Sequence, residues 1–133
     1  MLTQELIDDL IEQARQAAGN AYCPYSDYPV GAVVLVENGE TFWGCNVENV
    51  SFGAGICAER VAAGNAIANG YTDFRAIAIF HDGDDLPYPC GMCRQFLSEF
   101  GLDIEVIVAT NETYEIFSLA SLMPHAFDTK EIK

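Results

Sequence analysis

Three cysteines and one glutamate form the pattern in this sequence that could most directly do chemistry. Cys57 and Glu59 are two residues apart, and Cys90 and Cys93 are spaced i, i+3, so one helical turn would bring the second pair of sulfurs to one face. Thiolates suit zinc, which prefers four ligands in a tetrahedral arrangement. Three protein donors leave one position open, and an open zinc site can hold a water molecule and lower its pKa to about 7. Glu59 then lies where a base for that water is needed, so the pattern predicts a hydrolytic zinc enzyme.

Two other classes of protein use parts of this pattern. A structural zinc module would need a fourth protein ligand and would have no use for Glu59. A thiol oxidoreductase would use Pro89-Cys90-x-x-Cys93 as a redox pair, but dithiol chemistry has no need of the additional Cys57-Ala58-Glu59. The residues alone leave both alternatives open, and the complete set favours the open zinc site.

The composition limits the partners of the chain. Its 133 residues predict a single domain, 1–133, and half of them are hydrophobic, which is ample for a core and leaves apolar surface for a subunit interface. Six basic residues against 20 acidic ones give a net charge of −14. Such a surface repels phosphate backbones and anionic lipid headgroups, so neither a nucleic-acid partner nor a membrane partner is expected.

The start of the chain has neither a basic segment nor an unbroken apolar run, so we expect no signal peptide and no membrane span. The resulting expectation is a cytoplasmic, reducing location, where five cysteines are thiols or metal ligands. Cys23 and Cys45 are then most simply buried thiols. The two histidines, His81 and His125, have no motif context, so surface or structural roles are expected for them.

Hydrophobic periodicity predicts the elements that must position these side chains. An amphipathic helix begins after Thr3 and stops at Gly19. An apolar, β-branched run, a type I′ turn at Asn38-Gly39 and a returning strand form a hairpin. Helices and strands then alternate, and the chain closes with a short helix that serves as an apolar anchor. After the first helix, the predicted ranges are strand 31–36, strand 41–46, helix 57–68, strand 74–80, helix 90–100, strand 104–108, strand 114–117 and tail 121–127.

The connection lengths predict how the strands pair. Only residues 109–113 separate the last two strands, which is too short for a crossover helix, so this pair should be antiparallel. The element order predicts an α/β fold: a three-layer α/β/α sandwich around a mixed five-stranded sheet. Cys57 and Cys90 fall at the starts of two predicted helices, where the partial positive charge favours thiolates.

Longer blocks of sequence resemble a known family. Zinc deaminases carry H-x-E…P-C-x-x-C, with cysteine allowed at the first position, and this chain fits the cysteine version. Nearly end to end, the chain also resembles the small, homotetrameric cytidine deaminases of the three-cysteine zinc type. The blocks that carry this resemblance are, in order, Tyr25-Ser26-x-x-x-Val30-Gly31-Ala32, Gly44-Cys45-Asn46-Val47-Glu48-Asn49, Gly55-Ile56-Cys57-Ala58-Glu59-Arg60, Cys90-Gly91-x-Cys93-Arg94-Gln95 and Leu122-x-Pro124-x-Ala126-Phe127.

The resemblance implies zinc-dependent hydrolytic deamination of cytidine and 2′-deoxycytidine to uridine and 2′-deoxyuridine, with release of ammonia. One Zn²⁺ per chain would be held by Cys57, Cys90 and Cys93. Glu59 would take a proton from the zinc-bound water, pass it to the ring nitrogen and help to protonate the departing amino group. Arg60 would offset the negative charge of zinc with three thiolates. A blasticidin-type or a tRNA-editing deaminase is the alternative within the superfamily, and the Asn46-to-Asn49 block and the acidic surface count against both.

The resemblance also implies the residues that bind substrate. Asn46 and Glu48, two apart at a strand end, would grip the ribose hydroxyls, and the carboxylate would repel a 5′-phosphate. The remaining candidates are positions that contact the base or reach a pocket shared between subunits, and they are Tyr28, Ala58, Phe52 and Phe127. Tyr28 stands where the family more often has phenylalanine, and Phe52 where many members have tyrosine. The partners implied are a small nucleoside substrate and further copies of the chain in a homotetramer with shared active sites.

Overall fold

The computed structural model describes residues 2–128 and contains one five-stranded sheet between layers of helices. The strands lie in the order β2-β1-β3-β4-β5. The elements, in chain order, are α1 (Gln4–Ala18), β1 (Gly31–Val36), β2 (Thr41–Cys45), a 3₁₀ turn (Phe52–Ala54), α2 (Ala58–Ala68), β3 (Phe74–Phe80), α3 (Gly91–Ser98), β4 (Glu105–Ala109), β5 (Tyr114–Ser118) and α4 (Leu119–Leu122).

The sheet is mixed, as the connection lengths predict. β1 pairs antiparallel with both β2 and β3, β3 pairs parallel with β4, and β4 pairs antiparallel with β5. The connection that contains α3 joins the only parallel pair of the described strands, because parallel neighbours need a crossover. The antiparallel β4–β5 pair expected from its short connection is confirmed.

Each face of the sheet is covered by its own helices, which gives the predicted three layers. On one face, the apolar side of α1, including Leu10 and Ala14, packs on Val33 and Ala78. The alanines of α2, together with α3 and α4, cover the opposite face, where β-strand side chains such as Ile79 are buried. The central strands are therefore apolar on both sides, which explains why β1 and β3 appear in the sequence as continuous hydrophobic runs.

The first hairpin turns differently from the expectation. A type I′ turn needs a positive φ at both Asn38 and Gly39, and only Gly39 has one, at 97°. The Gly39 amide donates to the carbonyl of Val36, and the Val36 amide donates to the carbonyl of Glu40. The connection is thus a longer loop with a single glycine in the left-handed region, so the predicted type I′ turn is wrong.

The predicted tail helix over 121–127 is also wrong in position. The helix is α4, which begins earlier because the Ser118 hydroxyl caps it by accepting a hydrogen bond from the Ser121 amide. Pro124 disfavours a helical residue before it, and Met123 accordingly has an extended φ of −141°. Phe127 is 57% exposed, so it does not anchor the tail in the core of its own chain.

Within residues 2–128, no helix combines the length and the apolar character that crossing a bilayer requires.

Candidate active site

The three motif cysteines lie together where two helices begin. Cys57 is the N-cap of α2, Cys90 is the N-cap of α3, and Cys93 is the third residue of α3. Their sulfur atoms all lie within 4.8 Å of one another, and the Sγ atoms of Cys57 and Cys90 are 3.8 Å apart. A tetrahedral zinc ion with Zn–S bonds of about 2.3 Å holds its sulfurs about 3.8 Å apart, so the donor set fits zinc in both chemistry and spacing.

Close packing between β2 and α2 sets the position of the first cysteine. A Cβ atom added to Gly44 of β2 would lie 2.6 Å from the carbonyl oxygen of Ala58, in the first turn of α2. Only a residue without a side chain permits this approach. Gly44 therefore allows the start of α2, with Cys57 and Glu59, to lie directly against the sheet.

Arg94 holds the second pair of cysteines in place. Its Nε donates to the carbonyl oxygen of Pro89 at 2.7 Å, and its Nη1 donates to the carbonyl oxygen of Leu122 at 3.0 Å. The guanidinium thus connects the residue before Cys90 to the end of α4. The start of α3 is fixed from two sides as a result.

The surroundings of the cluster favour thiolate formation at Cys57. Hydrogen bonding with Cys93, helped by Arg60, lowers the pKa of Cys57 to about 5. The same interaction raises the pKa of Cys93, because Cys93 retains the proton that the pair shares. Arg60 Nη2 lies 3.7 Å from the Cys57 sulfur, and the buried Nε of Arg60 has no hydrogen-bond partner among the described residues. The structure therefore places the guanidinium beside the thiolates, where sequence reasoning expected a positive charge.

Glu59 lies beside the cluster in an almost dry position. It is 5% exposed, and burial is the main cause that raises the pKa of its carboxyl to about 7. The negative charge of Cys57 acts in the same direction. A carboxyl group with a pKa near neutrality can both accept and release a proton under physiological conditions.

An inner cavity of about 170 Å³ opens onto Glu59, Cys57 and Cys90. Tyr28, Asn46 and Ala58, three of the predicted substrate-binding residues, line it. Sequence reasoning did not single out the other side chains of its wall, which are Val30, Ile79, Pro87 and Tyr88. They come from the residue before β1, the end of β3 and the segment before α3, and only the strand order brings these together.

An outer cavity of about 400 Å³ adjoins the inner one and shares Asn46, Cys57 and Cys90 with it. Glu48 and Phe52 line this outer cavity, so Asn46 lies at the junction and Glu48 farther out. The arrangement provides a narrow compartment beside Glu59 and a wider one toward the surface.

Asn46 and Glu48 also organise the loop that precedes β1. The Asn46 side chain accepts a hydrogen bond from the Val30 amide and donates one to the Tyr28 carbonyl, each at 2.9 Å. The Glu48 carboxylate accepts from the amides of Tyr25 and Ser26 and from the Ser26 hydroxyl. These bonds lower the pKa of Glu48, with the Ser26 hydroxyl as the largest cause.

The two phenylalanines predicted at shared pockets lie in different places. Phe52 lines the outer cavity, is 80% exposed and meets the Tyr25 ring edge-on at a centroid distance of 5.8 Å. Phe127 is not among the described residues that line either cavity. Its carbonyl oxygen accepts a hydrogen bond of 2.9 Å from Gln95 of α3, which places the segment beside the zinc-binding helix.

His81 lies near the site, and sequence reasoning did not single it out as a functional residue. It is 8% exposed and its ring stacks on that of Tyr28. It directly follows β3, but no motif surrounds it, so its only signal in the sequence is its place at a strand end.

Comparison with known proteins supports the same chemistry. A family model described as the cytidine and deoxycytidylate deaminase zinc-binding region matches residues 4–110. The chain is 37% identical over 128 residues to a cytidine deaminase of Sporosarcina psychrophila, covering 95% of this chain and 94% of that protein. It is 39% identical over 133 residues to a probable cytidine deaminase of Dictyostelium discoideum, covering 98% and 90% of the two chains.

Solved structures share the fold. The crystal structure of a cytidine deaminase from Burkholderia pseudomallei superimposes with a TM-score of 0.88 at 40% identity, covering 95% of this chain and all of that one. A cytidine deaminase from Mycobacterium tuberculosis gives a TM-score of 0.80 at 37% identity, with 91% and 96% covered.

Proposed function

Because the chain belongs to the cytidine and deoxycytidylate deaminase family, we propose that it deaminates the free nucleosides cytidine and 2′-deoxycytidine by hydrolysis. The products would be uridine and 2′-deoxyuridine, with ammonia released, and the reaction would serve pyrimidine salvage. The observation that carries the proposal is a cluster of three thiols with buried Glu59 beside it. We assign the activity to one catalytic domain, 1–133.

Cys57, Cys90 and Cys93 would hold one zinc ion. When bound, zinc supplies a Lewis acid and a water molecule of lowered pKa. Glu59 would accept the proton of the attacking water and deliver it to the ring nitrogen of the pyrimidine, so that the ring carbon bearing the amino group accepts the oxygen. Glu59, again a carboxylate, would then take the remaining proton from the added oxygen and deliver it to the amino group, which leaves as ammonia while the oxygen becomes the carbonyl of the product. The guanidinium of Arg60 would offset the negative charge of zinc with three thiolates.

The two cavities divide the substrate between them. The base would occupy the inner cavity, with Tyr28 as an aromatic wall and Glu59 at its end. Ala58 is the first residue of α2, so its amide belongs to the first-turn donors that a helix leaves unused, and it can donate to the carbonyl oxygen of the base. The sugar would lie in the outer cavity, within reach of Asn46 and Glu48.

Charge favours the nucleoside over the nucleotide, although the family includes enzymes for both. Glu48 lies where the sugar would be, and hydrogen bonds lower its pKa, so it is ionised at neutral pH. The whole chain carries a net charge of −14. Both charges oppose a 5′-phosphate at the outer cavity, so deoxycytidylate is the second candidate substrate and the less favoured one.

The assembly proposed is a homotetramer with shared active sites. Phe52 and Phe127 lie near the zinc-binding helices, yet both are more than half exposed in the isolated chain. Val50 and Met92 add exposed apolar surface to the same region. Phe52 and Met92 line the outer cavity together. A neighbouring copy would cover these exposed apolar side chains and close the outer cavity.

The direct test is to load the protein with one zinc per chain and incubate it separately with cytidine, 2′-deoxycytidine and deoxycytidylate. With each of the two nucleosides, we expect the ultraviolet spectrum to shift to that of the uracil product. One ammonia should appear for each molecule of that product. Faster turnover of deoxycytidylate would replace the nucleoside assignment with the nucleotide one. No ammonia from any of the three would overturn the proposed function.

A further inference from the structure

The order of the strands brings His81 against the loop that carries Tyr28. β1 and β3 are antiparallel neighbours, with Gly31 paired to Phe80. The residues just before β1 therefore face the residues just after β3. The rings of Tyr28 and His81 are stacked there, with centroids 3.5 Å apart and an angle of 14° between their planes.

His81 is held in one orientation. Its Nδ1 lies 2.8 Å from the carbonyl oxygen of Pro29, which can only accept, so Nδ1 carries a proton and donates it. A Cβ atom at Gly83 would lie 2.6 Å from His81 Nε2, so the glycine leaves room for the imidazole on that side. The ring is thus fixed by a hydrogen bond, by the backbone at Gly83 and by its burial.

Tyr28 has its backbone and its ring fixed by different partners. Its amide donates to the Ser26 hydroxyl at 3.1 Å, and its carbonyl accepts from Asn46. These bonds fix the main chain but leave the side-chain torsions free. The stack on His81 restrains the ring. Tyr28 lines the inner cavity, whereas His81 is not among the described residues that line it.

We propose that His81 is a positioning residue for substrate binding, which holds the Tyr28 ring as a preformed wall of the base compartment. His81 would not touch the substrate. It would cover one face of the Tyr28 ring and leave the remaining surface of that ring to the pyrimidine, so that binding does not have to order the tyrosine side chain. The inference rests on the proposed function, because Tyr28 matters only if a pyrimidine base occupies the inner cavity.

The kinetic test compares variants with different ring surfaces. His81→Ala removes the stack and should raise the KM for cytidine roughly 2- to 10-fold, the range expected for one aromatic pair, with kcat changed less than 2-fold. His81→Phe keeps an aromatic surface without the Pro29 hydrogen bond and should restore most of the KM. Both variants should hold one zinc per chain and be fully folded at the assay temperature, although loss of the hydrogen bond to Pro29 lowers their melting temperature.

A double-mutant cycle separates positioning from general stability. Tyr28→Leu should itself raise the KM, and adding His81→Ala to it should cause no further increase, because the ring to be positioned is gone. If His81→Ala costs as much in the Tyr28→Leu background as in the wild type, the two residues act independently and the positioning role is wrong. A fall in kcat with unchanged KM would also overturn it.

Nuclear magnetic resonance supplies a readout that does not depend on activity. The chain has two histidines, so His125→Gln identifies the His81 ring protons directly. Stacking should move these protons upfield, and Tyr28→Leu should return them to ordinary positions. Unchanged His81 signals in Tyr28→Leu would overturn the stack and the inference with it. Failure of the proposed function is recognised separately, because the zinc-loaded wild type would then release no ammonia from cytidine while the His81 signals still report the stack.

Discussion

A Cβ atom added to Gly44 would lie 2.2 Å from the backbone nitrogen of Ala62, in the second turn of α2. No side-chain rearrangement can relieve a contact with backbone at that distance. The start of α2 carries both Cys57 and Glu59, so the small size of Gly44 determines where these two side chains lie relative to the sheet.

Gly44→Ala should therefore displace α2 and damage the site together with the fold. We expect a lower melting temperature, less than one zinc per chain and a large loss of deaminase activity. Gly64→Ala is the matched control, because Gly64 lies in the same helix and an added Cβ meets nothing within 4 Å. That control should gain about 0.5–1 kcal/mol of stability, since alanine favours a helix interior over glycine. Equal behaviour of the two variants would contradict the role of close packing at Gly44.

Glu59→Gln tests the acid–base group. The amide keeps the size of the side chain but cannot carry the proton, so turnover of cytidine should fall by about 10²–10⁴-fold. The zinc content should stay at one per chain and the melting temperature should not fall, because the neutral amide is at least as compatible with burial as a carboxyl whose pKa burial has raised to about 7. Metal analysis beside the assay decides the matter: loss of zinc together with activity would make Glu59 a ligand instead.

Arg94 should control how tightly the cluster holds its metal. Arg94→Ala removes the hydrogen bonds to the carbonyls of Pro89 and Leu122 and frees the segment before Cys90. Loss of an interaction that orients metal ligands typically costs about 10- to 100-fold in metal affinity, and we expect a weakening of that size in competition with a chelator.

Arg15→Ala is the control for Arg94→Ala. It also removes one positive charge, but Arg15 lies on the exposed face of α1, and its ion-pair partner among residues 2–128 is Glu12, at 2.6 Å. The zinc affinity of Arg15→Ala should equal that of the wild type. If both variants bind zinc as the wild type does, Arg94 does not support the site.

Most of the metal cluster could be predicted from sequence because its geometry is local. Cys90 and Cys93 share a helical turn, and Glu59 follows Cys57 by two residues at the start of another helix. Helix starts can be located from patterns of apolar residues. The partial positive charge at a helix N-terminus favours thiolates there in any fold. The antiparallel pairing of β4 with β5 followed from the length of their connection, since the four residues 110–113 admit a hairpin but no crossover helix.

The contacts made across the sheet could not be predicted in the same way. His81 meets Tyr28 only because β1 lies between β2 and β3, and local patterns do not give the order of strands. The turn at Asn38-Gly39 had the composition of a type I′ turn, but strand pairing imposed a longer loop. The apolar tail 121–127 was expected to anchor to the chain, whereas the Phe127 side chain is mostly exposed. The position of Phe127 at a pocket shared between subunits, which the family resemblance implies, stays a prediction.

Glu48→Gln should separate sugar binding from phosphate exclusion. Loss of the charge should raise the KM for cytidine while leaving zinc in place, and it should narrow the gap in kcat/KM between 2′-deoxycytidine and deoxycytidylate. In the wild type this gap should persist down to acidic pH, because hydrogen bonds lower the pKa of Glu48 and protonation removes the charge only below the usual range of a glutamate. Unchanged kinetics on all three substrates would contradict the assignment.

Ser26→Ala is the companion to Glu48→Gln. It removes the hydroxyl that donates to the Glu48 carboxylate but keeps the charge. The discrimination against deoxycytidylate should therefore survive in it at neutral pH, although the pKa of Glu48 rises. If Ser26→Ala loses the discrimination against deoxycytidylate as fully as Glu48→Gln does, the discrimination depends on the structure of the loop and not on the charge of Glu48.

The last prediction concerns assembly, and Phe127 is the residue that tests it. Its side chain is 57% exposed, and Phe127 is not among the described residues that line either cavity. Its carbonyl oxygen nevertheless accepts a hydrogen bond from Gln95 of the zinc-binding helix α3. We expect a neighbouring copy of the chain to bury this ring. Phe127→Ala should raise the KM for cytidine several-fold, since an aromatic contact contributes on the order of 1 kcal/mol. Sedimentation of the wild type should give the mass of four chains.

Subunit exchange shows whose site Phe127 completes. Phe127→Ala chains keep Glu59, and Glu59→Gln chains keep Phe127, so a mixed tetramer would contain sites with an intact Glu59 and a neighbour's intact Phe127. After exchange, a fraction of sites should regain the wild-type KM, although neither parent protein has it. Exchange verified by mass spectrometry without such recovery would place Phe127 in its own chain's site or core, because only a ring supplied by a neighbour can be restored by mixing. A monomer at assay concentration would remove the shared-site proposal altogether.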